Sequence, residues 1–124
     1  MRMIDSVLME LEQESATTRS LLERLPEDKL TWKPHPKSFS LGELALHMAN
    51  LPGAAATAAS KDALEYAVPR PEARSRQEIL DTLYGSMSTA KDLLSQMDDE
   101  RVTSQWTLTS GGKPVMTIPR IAFI

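Results

Sequence analysis

His47 is the side chain in this sequence best suited to chemistry, because an imidazole can bind a metal or transfer a proton near neutral pH. It lies within residues 40–52, with Glu43 four positions before it and Asn50 three positions after it. In a helix these three side chains are on neighbouring turns. Two interpretations stay open: His47 is a metal ligand or acid/base on the inner wall of a helix bundle, or it is a half-exposed histidine with satisfied hydrogen bonds.

The chain has one other histidine and no cysteine. His35 stands between Pro34 and Pro36, and we expect it to be exposed and inactive in a stiff, extended segment. The chain has no cysteine, which excludes disulfides, a protein thiolate nucleophile and thiolate metal ligands. Any thiol chemistry therefore needs a thiol that arrives with the substrate. No residue is assigned a catalytic role, and no organic cofactor is predicted.

Composition limits the classes of partner. The 124 residues carry 14 basic and 17 acidic side chains, a net charge of −3, whereas nucleic-acid binding needs a basic face. We therefore expect no nucleic-acid partner. No basic amphipathic helix and no stretch near about 18 apolar residues is present, so no membrane partner is expected either. The first ten residues contain acidic side chains where a signal peptide would be apolar. These observations predict one cytoplasmic domain, residues 1–124.

The helix that positions His47 begins at Ser40. Ser40 and Glu43 form a capping box, in which each side chain accepts from the other residue's backbone N–H. The spacing then predicts a buried stripe bordered by His47 and formed by Leu41, Leu44, Ala45, Met48 and Leu51. We expect this helix to kink at Pro52 and to continue to about residue 60. Its small side chains after Pro52 allow a close neighbour or a dimer partner.

Two further helices are predicted, over residues 3–25 and from a second capping box, Ser75 with Glu78, to about residue 97. Ser15 and Thr18 interrupt the apolar stripe of the first helix. Either they bond back to backbone carbonyls, or they leave room for a pocket. Pro26 ends this helix.

The remaining segments are predicted to be connections and a hairpin. Residues 26–39 form a crossover with one short turn at 26–30, anchored on the bundle by Trp32. Residues 61–74, with Pro69, form a loop. A β-hairpin follows over residues 106–118, with its turn at Ser110-Gly111-Gly112. Pro119 then occupies the first position of a last helix, and the apolar residues 121–124 must be buried. We expect the sequence to stop inside that helix.

Several of these stretches resemble the DinB/YfiT-like family. The likeness is carried by residues 21–30, residues 32–38 and residues 40–47, together with Leu51-Pro52. The hairpin around Trp106 and the pair Pro119-Arg120 agree with it. The resemblance implies a mainly all-α fold, a four-helix bundle of up-down-down-up type with a small β-hairpin before the last helix. Only the beginning of that helix, residues 119–124, is present.

The resemblance also implies a metal centre. Members of the family typically hold a divalent metal with three histidines, one on the second helix and two on the fourth. His47 matches the first, and the other two have no counterpart in this sequence. The implied cofactor is Zn²⁺ or Ni²⁺, provided that the missing fourth-helix ligands are supplied. The implied activity is that of a metal-dependent small-thiol S-transferase or a related hydrolase or isomerase, with a small-molecule thiol as partner.

An alternative from another class is a non-catalytic helical-bundle protein that acts through homodimerisation or partner binding. In this alternative the Ala-rich helix face is the contact surface and His47 is structural. Glu43 has two corresponding interpretations: it orients His47 as an outer partner of a metal ligand, or it only closes the capping box on Ser40.

Overall fold

Three long helices form the body of the protein in the computed structural model, which describes residues 1–67 and 71–124. They are α1 (Met3–Leu22), α2 (Leu41–Ala59) and α3 (Arg76–Ser95), with a 3-10 turn (Glu27–Lys29) before α2. The shorter elements are β1 (Ala63–Glu65), α4 (Asp99–Thr103), β2 (Gln105–Ser110), β3 (Lys113–Pro119) and α5 (Arg120–Phe123). The mainly helical fold with a small hairpin is confirmed. The four-helix bundle stays a prediction, because the described residues contain three long helices and two short ones.

The three long helices run up, down and down along the bundle. One buried cluster contains Leu22 at the end of α1, Leu46 near the start of α2 and Ile79 near the start of α3. The other contains Ile4 at the start of α1, Leu94 at the end of α3 and alanines at the end of α2. α2 and α3 are therefore parallel, and α1 is antiparallel to both. α3 packs along both neighbours, while α1 and α2 touch each other little.

The predicted start of α2 is confirmed, but its buried face is rotated from the predicted one. Ser40 Oγ accepts from the backbone N–H of Glu43, and Glu43 Oε1 accepts from that of Ser40, both at 3.0 Å. The prediction was wrong for Leu44 and Leu51, each 47% exposed. The residues buried on the other side of the helix are mostly small, among them Ala45, Ala49, Gly53 and Ala56. Small residues are buried there because α3 comes close.

The close approach of α2 and α3 is centred on Gly53. A Cβ added at this residue would lie 3.0 Å from Cα and Oγ of Ser86, closer than side chains normally pack. The Gly53 backbone N–H also donates to Ser86 Oγ at 2.7 Å. α2 continues through Pro52, and the predicted kink there stays a prediction. The neighbour that the small side chains allow is α3.

The predicted hairpin is confirmed and belongs to a larger sheet. Gly111 and Gly112 have φ angles of 59° and 77°, the left-handed conformation that a tight turn between β2 and β3 requires. The strand order is β1-β2-β3, with β1 parallel to β2 and β3 antiparallel to it. The prediction of a continuous loop over residues 61–74 was wrong at β1. Of that segment, residues 68–70, including Pro69, lie outside the described residues.

Other boundaries shift by a few residues. α1 ends at Leu22 rather than at residue 25, and α3 ends at Ser95 rather than at residue 97. α4 is an element that the sequence did not predict. Pro119 is the N-cap of α5 rather than its first helical residue. Trp32 was predicted to anchor the crossover, but 57% of it is exposed. None of the helices within the described ranges is long and apolar enough to cross a membrane.

At the second predicted capping box only one half forms as expected. Ser75 Oγ accepts from the backbone N–H of Glu78 at 3.0 Å. The Glu78 carboxylate instead accepts from the N–H of Arg74, one residue before the predicted donor. The helix start is therefore correct, and the reciprocal bond is displaced by one residue.

Candidate metal and ligand sites

His47 lies among exposed residues of α2, with Leu44 three positions before it and Asn50 and Leu51 three and four positions after it. Its side chain is half-buried, and its ring stacks on that of Phe39, with the ring centroids 6.3 Å apart and the planes inclined by 21°. Phe39 belongs to the segment that enters α2, so the ring contact joins the first turns of the helix to that segment. Asn50, the other polar neighbour predicted from spacing, is exposed.

Glu43 is a capping residue. It is buried, and besides closing the box on Ser40 its carboxylate lies 3.9 Å from Nζ of Lys33. A negative side chain in the first turn of a helix also stabilises the positive end of the helix dipole. The capping interpretation of Glu43 is confirmed. Its proposed role in orienting His47 stays a prediction.

His35 is exposed, as expected. Its Nδ1 accepts from the backbone N–H of Lys37 at 3.1 Å, within the turn that precedes α2. This bond holds one of the two ring nitrogens in a local turn. His35 is thus a histidine with an assigned structural contact, and it serves below as a control for His47.

The chain matches the family model of the DinB superfamily over residues 10–124, nearly its whole length. It belongs to the DinB superfamily. No curated protein and no solved structure matches the chain. The family membership confirms the resemblance on which the predicted helical fold rests.

The DinB superfamily is generally metal-associated, so the donor atoms present in this member decide whether an ion fits. Within residues 1–67 and 71–124, no three His, Cys, Asp or Glu side chains lie close enough together to hold a metal ion. A catalytic zinc site needs about three protein ligands. The described residues therefore do not fit a metal ion by themselves. His47 supplies one imidazole where a site would need more.

A cleft between α1 and α3 bears on the predicted role of Ser15. Ser15 Oγ donates to the backbone carbonyl of Glu12 at 2.9 Å, and Ser15 also lines the cleft, which has a volume of about 390 Å³. Both interpretations given to Ser15 therefore hold at once. The cleft lies on α1 and α3, whereas His47 is on α2.

A second cluster in this DinB-superfamily protein, centred on Arg120, was missed by sequence reasoning. The guanidinium is fully buried. Its Nη1 donates to the backbone carbonyls of Ala59 and Lys61, and its Nη2 donates to Asp62 Oδ1 at 2.8 Å and to the Gln105 carbonyl at 3.3 Å. Arg120 therefore ties the end of α2 to the start of β2. The sequence signals were its place between a proline and an apolar run and the agreement of the pair Pro119-Arg120 with the family resemblance.

Asp62 completes this cluster from an exposed position. Its Oδ1 accepts from Arg120 Nη2 and from Arg101 Nη1, at 2.8 and 3.0 Å. The hydrogen bond from Arg120, followed by that from Arg101, holds the pKa of the Asp62 carboxyl below its ordinary value of 3.8. Because the folded-state pKa is lowered, the stabilisation is present above the ordinary value and is lost as the pH falls through the folded-state value. The cluster is structural, because the two guanidinium groups and the carboxylate bond to one another and to backbone carbonyls.

Proposed function

We propose that this DinB-superfamily protein is metal-associated and that the His47 imidazole is one ligand of a divalent ion, Zn²⁺ or Ni²⁺. The observation that carries the proposal is a half-buried histidine, His47, on the exposed face of α2 in a chain of a metal-associated superfamily. Imidazole is a common ligand for both ions. The remaining ligands would have to come from groups other than the described residues.

The proposed activity is the transfer of a low-molecular-weight thiol, or a related hydrolysis or isomerisation, in the cytoplasm. The absence of cysteine from the chain makes the sulfur a property of the substrate rather than of the protein. Because the described donors do not fit an ion by themselves, no reaction step is assigned to particular residues.

The metal proposal is tested by replacing His47 with alanine in the protein expressed from its own gene. We expect about one divalent ion per subunit in native mass spectrometry of the unaltered protein. Loss of an outer-shell partner already weakens metal binding 10–100-fold, so loss of a ligand should weaken it by more than about 100-fold. His35→Ala is the matched control and should keep the ion, because His35 is exposed and bonded in a local turn.

An unaltered protein without a bound ion would overturn the metal proposal, and so would a His47→Ala variant that retains the ion with unchanged affinity. If the ion depends on His47, turnover of small thiols by the loaded protein tests the proposed activity separately.

A second candidate function is homodimerisation through the exposed face of α2. Leu44 and Leu51 lie seven residues apart, two helical turns, and each is 47% exposed. Large apolar side chains grouped on one helix face mark interaction surfaces more often than isolated ones do. The face of α2 turned away from α3 is therefore the surface that we propose for a second copy.

Leu51→Glu tests the dimer proposal, because a carboxylate in an apolar interface would lose its hydration without gaining a partner. We expect the dimer dissociation constant, measured by sedimentation equilibrium, to rise at least about tenfold, the equivalent of about 1.4 kcal/mol. Val115→Glu is the control, since Val115 is an exposed apolar residue on β3. A protein that is monomeric at all concentrations, or a dimer weakened only by Val115→Glu, would contradict the proposal.

A further inference from the structure

The cleft between α1 and α3 opens where α1 has small residues. Ser15 and Ala16 stand on the side of α1 that lines the cleft, so the two helices leave a volume of about 390 Å³ between them. Its floor is formed by Leu83 and Met87, which are only 3% and 8% exposed. The exposed ring of Tyr84 lines the same cleft. This volume and an apolar floor are typical of sites for small organic molecules.

The rim of the cleft carries charges at its two ends. Because α1 and α3 are antiparallel, Arg19 lies towards one end of the cleft and Glu12, paired with Lys91, lies towards the other. Nζ of Lys91 is 2.6 Å from the Glu12 carboxylate. Arg19 Nε is 3.7 Å from the carboxylate of Glu23, in a pair with both side chains more than half exposed. Exposed ion pairs of this kind contribute little to the free energy of folding, so Arg19 can exchange Glu23 for a ligand carboxylate at little cost in free energy.

We propose that this cleft binds a small aromatic carboxylate. The aromatic ring lies on the floor formed by Leu83 and Met87, where ring and sulfur contacts are favourable. The carboxylate is held by the guanidinium of Arg19, whose planar fork can donate two parallel hydrogen bonds. Lys91 is held at 2.6 Å by Glu12, whereas Arg19 lies 3.7 Å from its partner Glu23, so Arg19 is the cation of the rim that can exchange its partner for a ligand carboxylate. The site involves no residue of α2 and is independent of the proposed metal ligand.

The probe for this site is 2-naphthoate, with the neutral 2-naphthamide as its charge control. Titrations are followed calorimetrically in the presence of a chelator, so that the result does not depend on a bound metal. We expect saturable 1:1 binding of the carboxylate, with the amide about tenfold weaker, as loss of one charge-assisted hydrogen bond predicts. Arg19→Gln should remove this preference, so that acid and amide bind alike.

The position of the probe is tested by filling the cleft. Ala16 is exposed on α1, and in the Ala16→Trp variant the indole occupies the cleft, so binding of 2-naphthoate should be lost. The matched control is Ala54→Trp, which places the same side chain in the groove between α2 and α3. Circular dichroism establishes that both variants are folded.

Three results would overturn the proposal: no saturable binding of 2-naphthoate, unchanged binding in Ala16→Trp, or loss of binding only in Ala54→Trp. The last result would place the probe in the other groove. A preference for the carboxylate that survives in Arg19→Gln would overturn the role given to Arg19. These outcomes are independent of the His47→Ala experiment on metal binding, because the titrations contain no free metal.

Discussion

Replacing Arg120 with alanine is expected to lower the free energy of unfolding by about 3–5 kcal/mol, the range found when one partner of a buried charged cluster is removed. The guanidinium is 0% exposed, and its removal takes a donor away from the groups that accept its hydrogen bonds. They include backbone carbonyls from the end of α2, among them those of Ala59 and Lys61. A carbonyl left buried without a donor costs about 1–3 kcal/mol.

Arg120 also places a positive charge at the C-terminal end of α2, where the helix dipole favours a cation. Arg120→Met is therefore informative as a second variant. It keeps much of the side-chain volume but has no donors, so it should remain strongly destabilised if the hydrogen bonds are what matters.

Urea unfolding followed by circular dichroism measures the effect, with Arg24→Ala as the control. Arg24 is exposed at the end of α1, and its loss should change the free energy of unfolding by no more than about 0.5 kcal/mol. A loss below about 1 kcal/mol in Arg120→Ala would show that the cluster does not hold α2 to the sheet.

The Trp106→Ala substitution is expected to lower the free energy of unfolding by about 3–5 kcal/mol, because it removes a large buried aromatic side chain and leaves a cavity. Trp106 is 1% exposed. Its ring stacks on Phe123 with the centroids 4.0 Å apart, and its Nε1 donates to the Ala58 carbonyl at 3.1 Å. One side chain of β2 thus contacts both α2 and α5.

The chain contains its own control for this prediction. Trp32 is 57% exposed, so the same substitution, Trp32→Ala, should cost under about 1 kcal/mol. The loss of stability in Trp106→Phe should lie between those of Trp106→Ala and Trp32→Ala, because phenylalanine keeps a ring against Phe123 but loses the hydrogen bond to α2. Thermal unfolding of the three variants checks the order, and equal effects at both tryptophans would contradict the assigned packing.

Features that depend on a few neighbouring residues could be predicted from the sequence. The start of α2 follows from the Ser40–Glu43 box, and the hairpin turn follows from two glycines that tolerate positive φ. In both cases the residues that interact lie within three positions of each other in the sequence. The backbone hydrogen bond of Ser15 and its place beside a cleft could be predicted for the same reason, because a small polar residue in an apolar stripe is visible in the sequence itself.

Features that depend on distant partners could not be predicted. The buried stripe of α2 was assigned by hydrophobicity, but proximity to α3 selects small residues, with Gly53 against Ser86, and leaves Leu44 outside. β1 has three residues and is defined by its pairing with β2, more than 40 residues away. Arg120 looks like a surface residue until its partners at the end of α2 are brought to it.

The candidate site was predicted only as far as one residue. Residue type and helical spacing identified His47, and the structure places it half-buried on α2. The cleft between α1 and α3 requires the relative placement of two helices, which the sequence of either one does not contain. Its charged rim follows from Arg19 and Lys91, which are far apart in sequence.

The parallel arrangement of α2 and α3 limits how the chain between them can be re-engineered. A helix of about 20 residues is about 30 Å long, so the segment from Ser60 to Ser75 must travel back over that distance. Extended chain covers at most about 3.3–3.6 Å per residue, and fewer than about nine residues cannot make the return. Deletions beyond that limit would force α3 to reverse direction, whereas insertions between the end of β1 and Ser75 only lengthen a path that is already long enough.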